Sequence, residues 1–310
     1  MIHRRDLLAS VAAAGSGATA GCLGGTLGSA RPEGGDSSST PPAEGPLAGE
    51  TLTLATTTSA YDTGLVHALN AAFEEETGAS VRAVARGTGG ALRTARDGDA
   101  DAVLVHAPDL EREFVESGYG VERRPVFVNN FLVVGPSTDP AGLADRGTPE
   151  DDGDVAAAFR AVADAEASFV SRGDNSGTHR RELACWDAAE VEPAGDWYRL
   201  VGAGMGNTLV HAGQVGGYTL TDRGSYLGTR HDVAVDPLFA ASPGDMEGVP
   251  DLLTNPYSII TVHPDVPGAD AELGGAYAEF LDSPAGREVV ESFRVDGERA
   301  FRPLGGGDDG

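Results

Sequence analysis

The feature that most constrains the fold is a regular alternation of strand-like and helix-like segments, which begins at Glu50. Residues 51–55 alternate as a strand does, and 64–77 carries apolar residues at helical spacing and ends before Gly78. Because strands and helices keep taking turns, we predict an α/β fold with a parallel sheet covered by helices on both faces. In such folds, ligands bind at the loops beyond the carboxyl ends of the strands. Further strands are predicted at 80–85, 101–106, 125–135, 168–170, 217–221 and 258–262, and further helices at 92–97, 108–117, 154–166, 177–188, 207–214, 271–281 and 284–293.

The chain is long enough for two lobes of ordinary domain size. Its 310 residues are 40% hydrophobic, which supports a sizeable core. The apolar strand at 125–135 could pass from one lobe into a second, and the strand at 258–262 could return to the first. We therefore predict an export signal at 1–22, a flexible Gly, Ser, Thr and Pro-rich tether at 23–49, a first lobe formed by 50–130 and 256–303, and a second lobe at 131–255.

The first segment has the pattern of an export signal for a lipoprotein. Arg4 and Arg5 precede an alanine-rich apolar stretch, and small residues lead up to Cys22. The twin arginine indicates export of a folded protein, and the small residues resemble a lipoprotein cleavage site, which would leave Cys22 acylated at the new N-terminus. We therefore expect an extracytoplasmic protein anchored to the outer face of the cell membrane by lipid. A chance Arg-Arg pair ahead of an ordinary core helix is the alternative.

Acidic residues far outnumber basic ones. The chain has 48 Asp and Glu against 22 basic residues, all arginine, for a formal net charge of -26. Nucleic acid is excluded as a partner, because a phosphate backbone requires a basic face. Scattered acid suits a surface in concentrated salt, where self-repulsion is screened. A generic acidic surface that serves solubility is the alternative. In either case, capture of an anion would need a local site.

The cysteines and histidines predict no resident metal. Cys22 and Cys185 lie far apart in unlike contexts, so they form neither a disulfide framework nor a cysteine metal site. The histidines show no metal-ligand spacing, and we expect them to be scaffold or surface groups.

Two loops between a predicted strand and a predicted helix combine hydroxyl groups and glycines. Residues 56–59 read Thr-Thr-Thr-Ser and residues 87–90 read Gly-Thr-Gly-Gly. A helix N-terminus leaves its first N–H groups unpaired and carries partial positive charge, so both loops are candidate anion sites. A plain N-cap in the first loop and a simple tight turn in the second are the alternatives.

A third loop adds a cation. Residues 171–179 read Ser-Arg-Gly-Asp-Asn-Ser-Gly-Thr-His, after a strand and at the start of a helix. Arg172 has rigid donors that match the edge of an oxyanion and stays charged at any relevant pH. We expect Asp174 to support Arg172 or to cap the helix. An exposed turn with a structural Arg–Asp pair is the alternative.

Taken together, these segments resemble the tungstate-binding proteins of ABC importers. The resemblance covers nearly all of 51–265 in order, and it is specific because the TTTS and SRGD segments occur together with their neighbours. It extends to the segments at 98–101, 105–108, 118–120, 123–126, 204–206 and 218–224.

The resemblance implies a two-lobed periplasmic-binding-protein-like fold of the second type, in which each lobe is a sheet flanked by helices and a hinge closes the lobes over one oxyanion. It implies a protein that is not an enzyme, that needs no cofactor, and that captures tungstate and delivers it to an ABC permease in the membrane. We expect a monomer. Gly90 departs from the family, which often has a polar residue there, so only the backbone could donate at that point. The implied ligand contacts are Thr58, Ser59, Thr88, Gly89, Arg172, Ser176 and Thr178, with Ser171 as a further candidate.

Other functions remain open at this stage. Molybdate or phosphate could be the ligand of the same fold. A secreted serine hydrolase could use Ser59 or Ser176 as nucleophile and His106 or His179 as base, but the sequence offers no nucleophile elbow and no third partner. An adhesion protein could use the tripeptide at 172–174, whose flanks fit an oxyanion loop better.

Overall fold

The computed structural model describes residues 45–241 and 249–304. The export signal, Cys22 and most of the tether lie outside these residues. The strands are β1 Thr51–Thr57, β2 Ser80–Arg86, β3 Ala102–Val105, β4 Gly120–Gly135, β5 Phe169–Ser171, β6 Tyr198–Leu200, β7 Thr219–Asp222, β8 Asp236–Ala240, β9 Thr254–Val262 and β10 Arg302–Pro303. The helices are α1 Thr58–Asp62, α2 Leu65–Thr77, α3 Thr88–Arg96, α4 Pro108–Glu116, α5 Asp152–Asp164, α6 Gly177–Ala188, α7 Met205–Val215, α8 Arg223–Thr229, α9 Ala271–Asp282 and α10 Pro284–Ser292.

The central sheet is mixed rather than parallel. β1 pairs in parallel with β2 on one side and with β3 on the other. The helices between these strands carry the chain back to the end of the sheet at which each strand begins, so the three strands run in the same direction. β9 then pairs antiparallel with both β3 and β4, in the order β10-β4-β9-β3-β1-β2. The prediction of a parallel sheet was therefore wrong for this half of the sheet, since the returning strand β9 runs against its neighbours.

Strand β4 connects two lobes by changing partners along its length. Up to Asn130 it pairs with β9 of the central sheet, and from Phe131 onward it pairs with β7 and β8. We call the body built on β1, β2, β3 and β9 lobe I, and the body built on β5, β7 and β8 lobe II. The lobe boundaries proposed from the sequence remain predictions, but the partner change shows how one strand serves both sheets.

Aromatic side chains fill the cores of the two lobes. In lobe I, Phe73 of α2 meets Tyr277 of α9 edge to face with ring centroids 5.1 Å apart, and Phe114 of α4 is buried on the other face of the sheet. In lobe II, Trp186 of α6 meets Phe159 of α5 at 4.6 Å. Burial of each such side chain stabilises the fold by roughly 1.5–3 kcal/mol, so each lobe holds its loops on a rigid base.

Several elements differ from the sequence prediction. The expected loop at 56–62 contains the short helix α1, and α3 begins at Thr88 instead of 92. Strand β4 begins at Gly120, five residues before the predicted start. The sequence did not reveal this first part because it is partly exposed and polar and lacks an apolar run. Strands β6 and β8 and helix α8 were missed, since short half-exposed segments carry little periodicity.

No helix in the described ranges is long and apolar enough to cross a membrane. Within 45–241 and 249–304, His, Cys, Asp and Glu side chains form no cluster of three or more that could hold a metal ion.

Candidate functional site

The first candidate loop follows β1 directly. Thr57 caps α1, because its side-chain oxygen accepts a hydrogen bond from the backbone N–H of Ala60 at 3.3 Å. Thr58 is half-buried and Ser59 is only 6% exposed. The buried Ser59 hydroxyl lies 3.3 Å from the Thr57 hydroxyl, so the loop presents hydroxyl groups inward rather than to solvent.

The second loop lies at the same edge of the sheet. Thr57 is paired in register with Arg86, so Thr88 follows the end of β2 beside the end of β1. Thr88 is the first residue of α3 and is 1% exposed, yet the described residues offer its side-chain oxygen no hydrogen-bond partner. Gly89 is exposed, and as a first-turn residue its N–H has no partner within the helix. This loop therefore has a buried donor available for a ligand.

The third loop, in lobe II, holds a buried arginine. Arg172 is 4% exposed, and its Nη2 donates to Asp174 Oδ2 at 2.6 Å. No hydrogen-bond partner for its Nε lies within the described part of the chain. Burial alone would raise the pKa of Asp174, but hydrogen bonds from Ser176 and the charge of Arg172 lower it overall, so the carboxylate stays ionised. Asp174 thus holds one side of the guanidinium and leaves another donor free.

The helix that follows this loop begins with further donors. Ser176 caps α6, because its oxygen accepts from the backbone N–H of His179 at 3.3 Å, and its own N–H donates to Asp174. Thr178 is 1% exposed, and nothing in the described ranges partners its hydroxyl. Its hydroxyl and the open N–H groups of the first turn of α6 are therefore free to bind an anion.

The two lobes meet at the start of α6. A Cβ atom placed on Gly177 of lobe II would lie 2.7 Å from Cε1 of His106, which follows β3 in lobe I. The charge of Arg172 also lowers the pKa of His106, so the guanidinium lies within electrostatic reach of that ring. A cleft of about 270 Å³ between α4 and α6 opens beside this contact and includes Arg180 and Arg181 among its lining residues. The buried donors of the three loops do not line that cleft.

His106 links the first loop to the returning strand. Its Nε2 lies 3.2 Å from the Ser59 hydroxyl, and its Nδ1 lies 2.9 Å from Oδ1 of Asn255. The ring stacks on Tyr257, with ring centroids 4.6 Å apart. Burial lowers the pKa of His106 to about 4, so the imidazole is neutral near pH 7.

Comparison with known proteins identifies the family. A sequence model described as a PBP superfamily domain matches residues 32–285. The chain belongs to the PBP superfamily. This PBP-superfamily chain is 47% identical over 307 residues to an ABC transporter anion-binding protein of Haloferax volcanii, covering 97% of this chain and 86% of the relative.

Two further relatives carry more specific names. The tungstate-binding protein TupA of Peptoclostridium acidaminophilum is 37% identical over 243 residues, covering 78% of this chain and 81% of that protein. The crystal structure of the tungstate ABC transporter from Geobacter sulfurreducens superposes with a TM-score of 0.70 at 38% identity, covering 79% of this chain and 99% of that chain. The family resemblance drawn from the sequence and the two-lobed α/β fold are confirmed.

The PBP fold places the predicted site residues in the loops after β1, β2 and β5 and at the helix starts that follow, and their polar atoms differ in whether they already have partners. Thr88, Arg172 and Thr178 each have a buried donor atom without a partner in the described residues. The Ser171 hydroxyl is likewise buried without a hydrogen-bond partner in that part of the chain, whereas the Ser176 hydroxyl already accepts from the N–H of His179. All eight residues remain predicted ligand contacts, and Thr88, Ser171, Arg172 and Thr178 have the strongest physical support.

Sequence analysis missed two groups in this PBP site. His106 and Asn255 were assigned no role in oxyanion binding, although His106 follows a strand that ends at the same edge as the TTTS loop. The position of His106 directly after a strand was the sequence signal that could have placed it in the site. No local pattern marks Asn255, which reaches the site only because β9 returns to lobe I.

Proposed function

We propose that this PBP-superfamily protein is the extracytoplasmic solute-binding protein of an ABC importer, that it captures tungstate, and that it delivers the anion to a membrane permease. The observation that carries the proposal is the set of buried donors of Thr88, Arg172 and Thr178, which lack partners in the described residues and come from two lobes. The names of the tungstate-binding relatives support the choice of ligand.

The binding step follows from this distribution of donors. An open form holds the dianion on one lobe, and closure brings donors from the other, chiefly the guanidinium of Arg172. Each hydrogen bond to a charged group contributes roughly 1.5–3 kcal/mol. Five or six such hydrogen bonds reach the roughly 12 kcal/mol of nanomolar binding after the entropic cost of fixing the anion and the binding loops is subtracted. Such binding needs neither a cofactor nor catalysis, and it works in a chain whose net charge is -26.

Selectivity would come from the size of the enclosed space. Tungstate and molybdate have longer metal–oxygen bonds than the sulfur–oxygen and phosphorus–oxygen bonds of sulfate and phosphate, so a space built for the former leaves the latter under-coordinated. Hydrogen phosphate would also need an acceptor for its proton. Molybdate is the alternative ligand, because its shape and charge match those of tungstate.

Calorimetric titration of the purified protein with tungstate, molybdate, sulfate and phosphate tests the proposal. We expect heat with tungstate and molybdate and none with the other two. Absence of heat with both metalates would refute it, and binding of phosphate alone would make phosphate the ligand.

Replacement of Arg172 tests its role in binding. Arg172→Gln removes the positive charge and keeps a polar side chain of similar length, so we expect tungstate affinity to fall by roughly a hundredfold or more, as the loss of a charged donor implies. Arg146→Gln, an exposed arginine in lobe II, is the matched control and should bind as the parent does. Equal affinities in the two variants would remove Arg172 from the site.

The cellular placement belongs to the same proposal. The twin-arginine signal and Cys22 would place a lipid-anchored monomer at the outer face of the membrane, with an acidic surface adapted to concentrated salt. A mass spectrum of the native protein would show cleavage before Cys22 and the added lipid. An unmodified N-terminus would remove the anchor from the proposal.

One observation favours a second candidate, a secreted serine hydrolase. Ser59, His106 and Asn255 are arranged in the order of nucleophile, base and orienting group, so a third partner exists after all. We expect no turnover, because a histidine whose pKa is lowered to about 4 is a weak base at neutral pH. Hydrolysis of a chromogenic ester by the parent, lost in Ser59→Ala, would establish the hydrolase instead.

A further inference from the structure

Ser59 faces a conflict in its hydrogen bonds. The proposed function uses its hydroxyl as a donor to the oxyanion, but the same hydroxyl lies 3.2 Å from Nε2 of His106. A serine hydroxyl has one proton to donate. If His106 Nε2 accepts that proton, Ser59 turns lone pairs toward a bound anion and repels it.

Asn255 determines which nitrogen of His106 carries the proton. Its Oδ1 lies 2.9 Å from His106 Nδ1, and an amide oxygen only accepts. Nδ1 must then be the protonated nitrogen, since a neutral imidazole has one N–H. This leaves Nε2 as an acceptor that takes the proton of Ser59.

The opposite arrangement is reached by rotating one amide. If Asn255 turns its NH2 group to His106 Nδ1, that nitrogen becomes the acceptor and Nε2 carries the proton. Nε2–H then donates to Ser59, and the Ser59 hydroxyl is free to donate to an oxyanion. The two arrangements contain the same atoms and differ in the direction of the hydrogen bonds and in the ring nitrogen that carries the proton. Nδ1 gives its proton to water and Nε2 takes one from water through the cleft that His106 lines, so the ring stays neutral overall.

We propose that Asn255 and His106 form a relay that sets the direction of the Ser59 hydroxyl, and that binding of a fully deprotonated oxyanion reverses it. This inference rests on the proposed function and makes His106 a positioning residue. In the resting direction, the Ser59 hydroxyl donates to His106 Nε2; in the bound direction, it accepts from Nε2–H and donates to the oxyanion.

The surroundings of His106 keep the relay free of net charge. The ring is 6% exposed and stacked on Tyr257, and the buried Asn255 is 1% exposed. The charged groups that act on it are Asp222, Arg172 and Arg181, of which the first favours protonation and the other two oppose it. Burial dominates, so the imidazole stays neutral and the change is one of tautomer alone.

Nitrogen NMR of the full-length protein labelled with 15N-histidine tests the relay, because the two neutral tautomers have different nitrogen shifts. We expect His106 to carry its proton on Nδ1 without ligand and on Nε2 with saturating tungstate. Calorimetry on the same sample separates the two claims. Tungstate heat with an unchanged tautomer would overturn the relay and leave the proposed function standing, whereas absence of heat would overturn both.

A double-mutant cycle provides a second test. His106→Phe keeps a ring to stack on Tyr257 and removes the acceptor that takes the Ser59 proton before binding, so we expect tungstate affinity to rise by roughly tenfold. In a Ser59→Ala background the same replacement should change tungstate affinity by less than about twofold, because the hydroxyl on which His106 acts is absent. A loss of affinity, or an equal change in both backgrounds, would mean that His106 acts on packing, and the relay would be wrong. The NMR test needs no variant and so stands even if His106→Phe does not fold.

Discussion

At the scale of single residues, the site is marked by buried polar atoms that the described residues leave without partners. A buried hydroxyl without a hydrogen bond destabilises a fold by roughly 1–3 kcal/mol. Thr88 and Thr178 both carry this penalty at 1% exposure, and each lies in the first turn of a helix. Their hydroxyls therefore oppose stability in the free protein, and in the proposed function they donate to the bound oxyanion.

Replacing one of these hydroxyls should separate stability from binding. Thr88→Val keeps the shape and removes the hydroxyl, so we expect the free energy of unfolding of the ligand-free protein to rise by about 1 kcal/mol. Tungstate affinity should fall by roughly tenfold or more, because a donor to the dianion is lost. Chemical denaturation and calorimetry measure the two effects.

Thr94→Val is the matched control on the same helix. The Thr94 hydroxyl already donates to the carbonyl of Gly90 at 3.0 Å, so its loss should not stabilise the protein and should leave tungstate affinity unchanged. A Thr88→Val protein that is less stable than the parent yet binds equally well would contradict the assigned role of Thr88.

At the scale of elements, α6 is attached to the β5–β6 sheet through a buried carboxyl. Glu182 is 2% exposed, and its Oε1 accepts from Tyr198 at 2.7 Å and from the Trp186 ring N–H at 3.2 Å. Burial raises the pKa of Glu182 to about 7, and the nearby Asp174 adds to this effect. The helix that presents Thr178 to the site is thus held by a group that titrates near neutral pH.

The raised pKa of Glu182 makes the folded protein less stable as the pH rises. Between pH 4.5 and about 7, the unfolded chain ionises Glu182 while the folded chain keeps the proton, so stability falls as the pH rises through this window. Above that window the loss is constant at roughly 3 kcal/mol. Below pH 4.5, Glu182 is protonated in both states and makes no such contribution.

Glu182→Gln should remove this dependence. The amide oxygen can still accept from Tyr198 and Trp186 but carries no charge. We expect the difference in unfolding free energy between variant and parent to grow from near zero at pH 4.5 to roughly 3 kcal/mol in favour of the variant at pH 8. Denaturant titrations across this range measure it, and a difference that stays constant with pH would mean that Glu182 does not titrate there.

At the scale of the whole molecule, closure depends on how nearly the lobes can approach. Gly177 allows the N-terminus of α6 to lie against His106, whose ring is held by Asn255 and by the stack on Tyr257. A side chain at position 177 would meet the ring within 2.7 Å and the His106 carbonyl oxygen at 3.1 Å. The glycine is required by the interface between lobes and not by its own helix.

Gly177→Ala should therefore hold the lobes apart. We expect weaker tungstate binding and a smaller decrease in the radius of gyration on binding, as measured by calorimetry and small-angle scattering. Gly206→Ala, early in α7 where an added Cβ meets nothing within 4 Å, is the control and should bind as the parent does. Full affinity and full compaction in Gly177→Ala would show that this contact does not limit closure.

The large negative charge also acts at this scale. With a formal net charge of -26, the long-range field repels an anion, and screening by salt weakens that repulsion within about 10 Å at 0.1 M. The local arrangement of Arg172 and helix N-termini must provide the attraction. In the proposed function, selective capture is therefore a property of the folded site and not of composition.

The sequence alone determined the parts of this protein that rest on local patterns. Periodicity predicted most strands and helices, and hydroxyls, glycines and one arginine at helix starts marked the loops after β1, β2 and β5 as candidate anion sites. These signals lie within about ten neighbouring residues, so they can be read without knowing the fold.

Only the tertiary structure decided what those loops face. It placed Asn255 on His106 across 149 positions of the chain and brought Gly177 of one lobe against His106 of the other. It also set β9 antiparallel to its neighbours. Long-range packing selects these partners, and burial then decides which donors stay free and shifts the pKa values of His106 and Glu182. No local pattern carries that information.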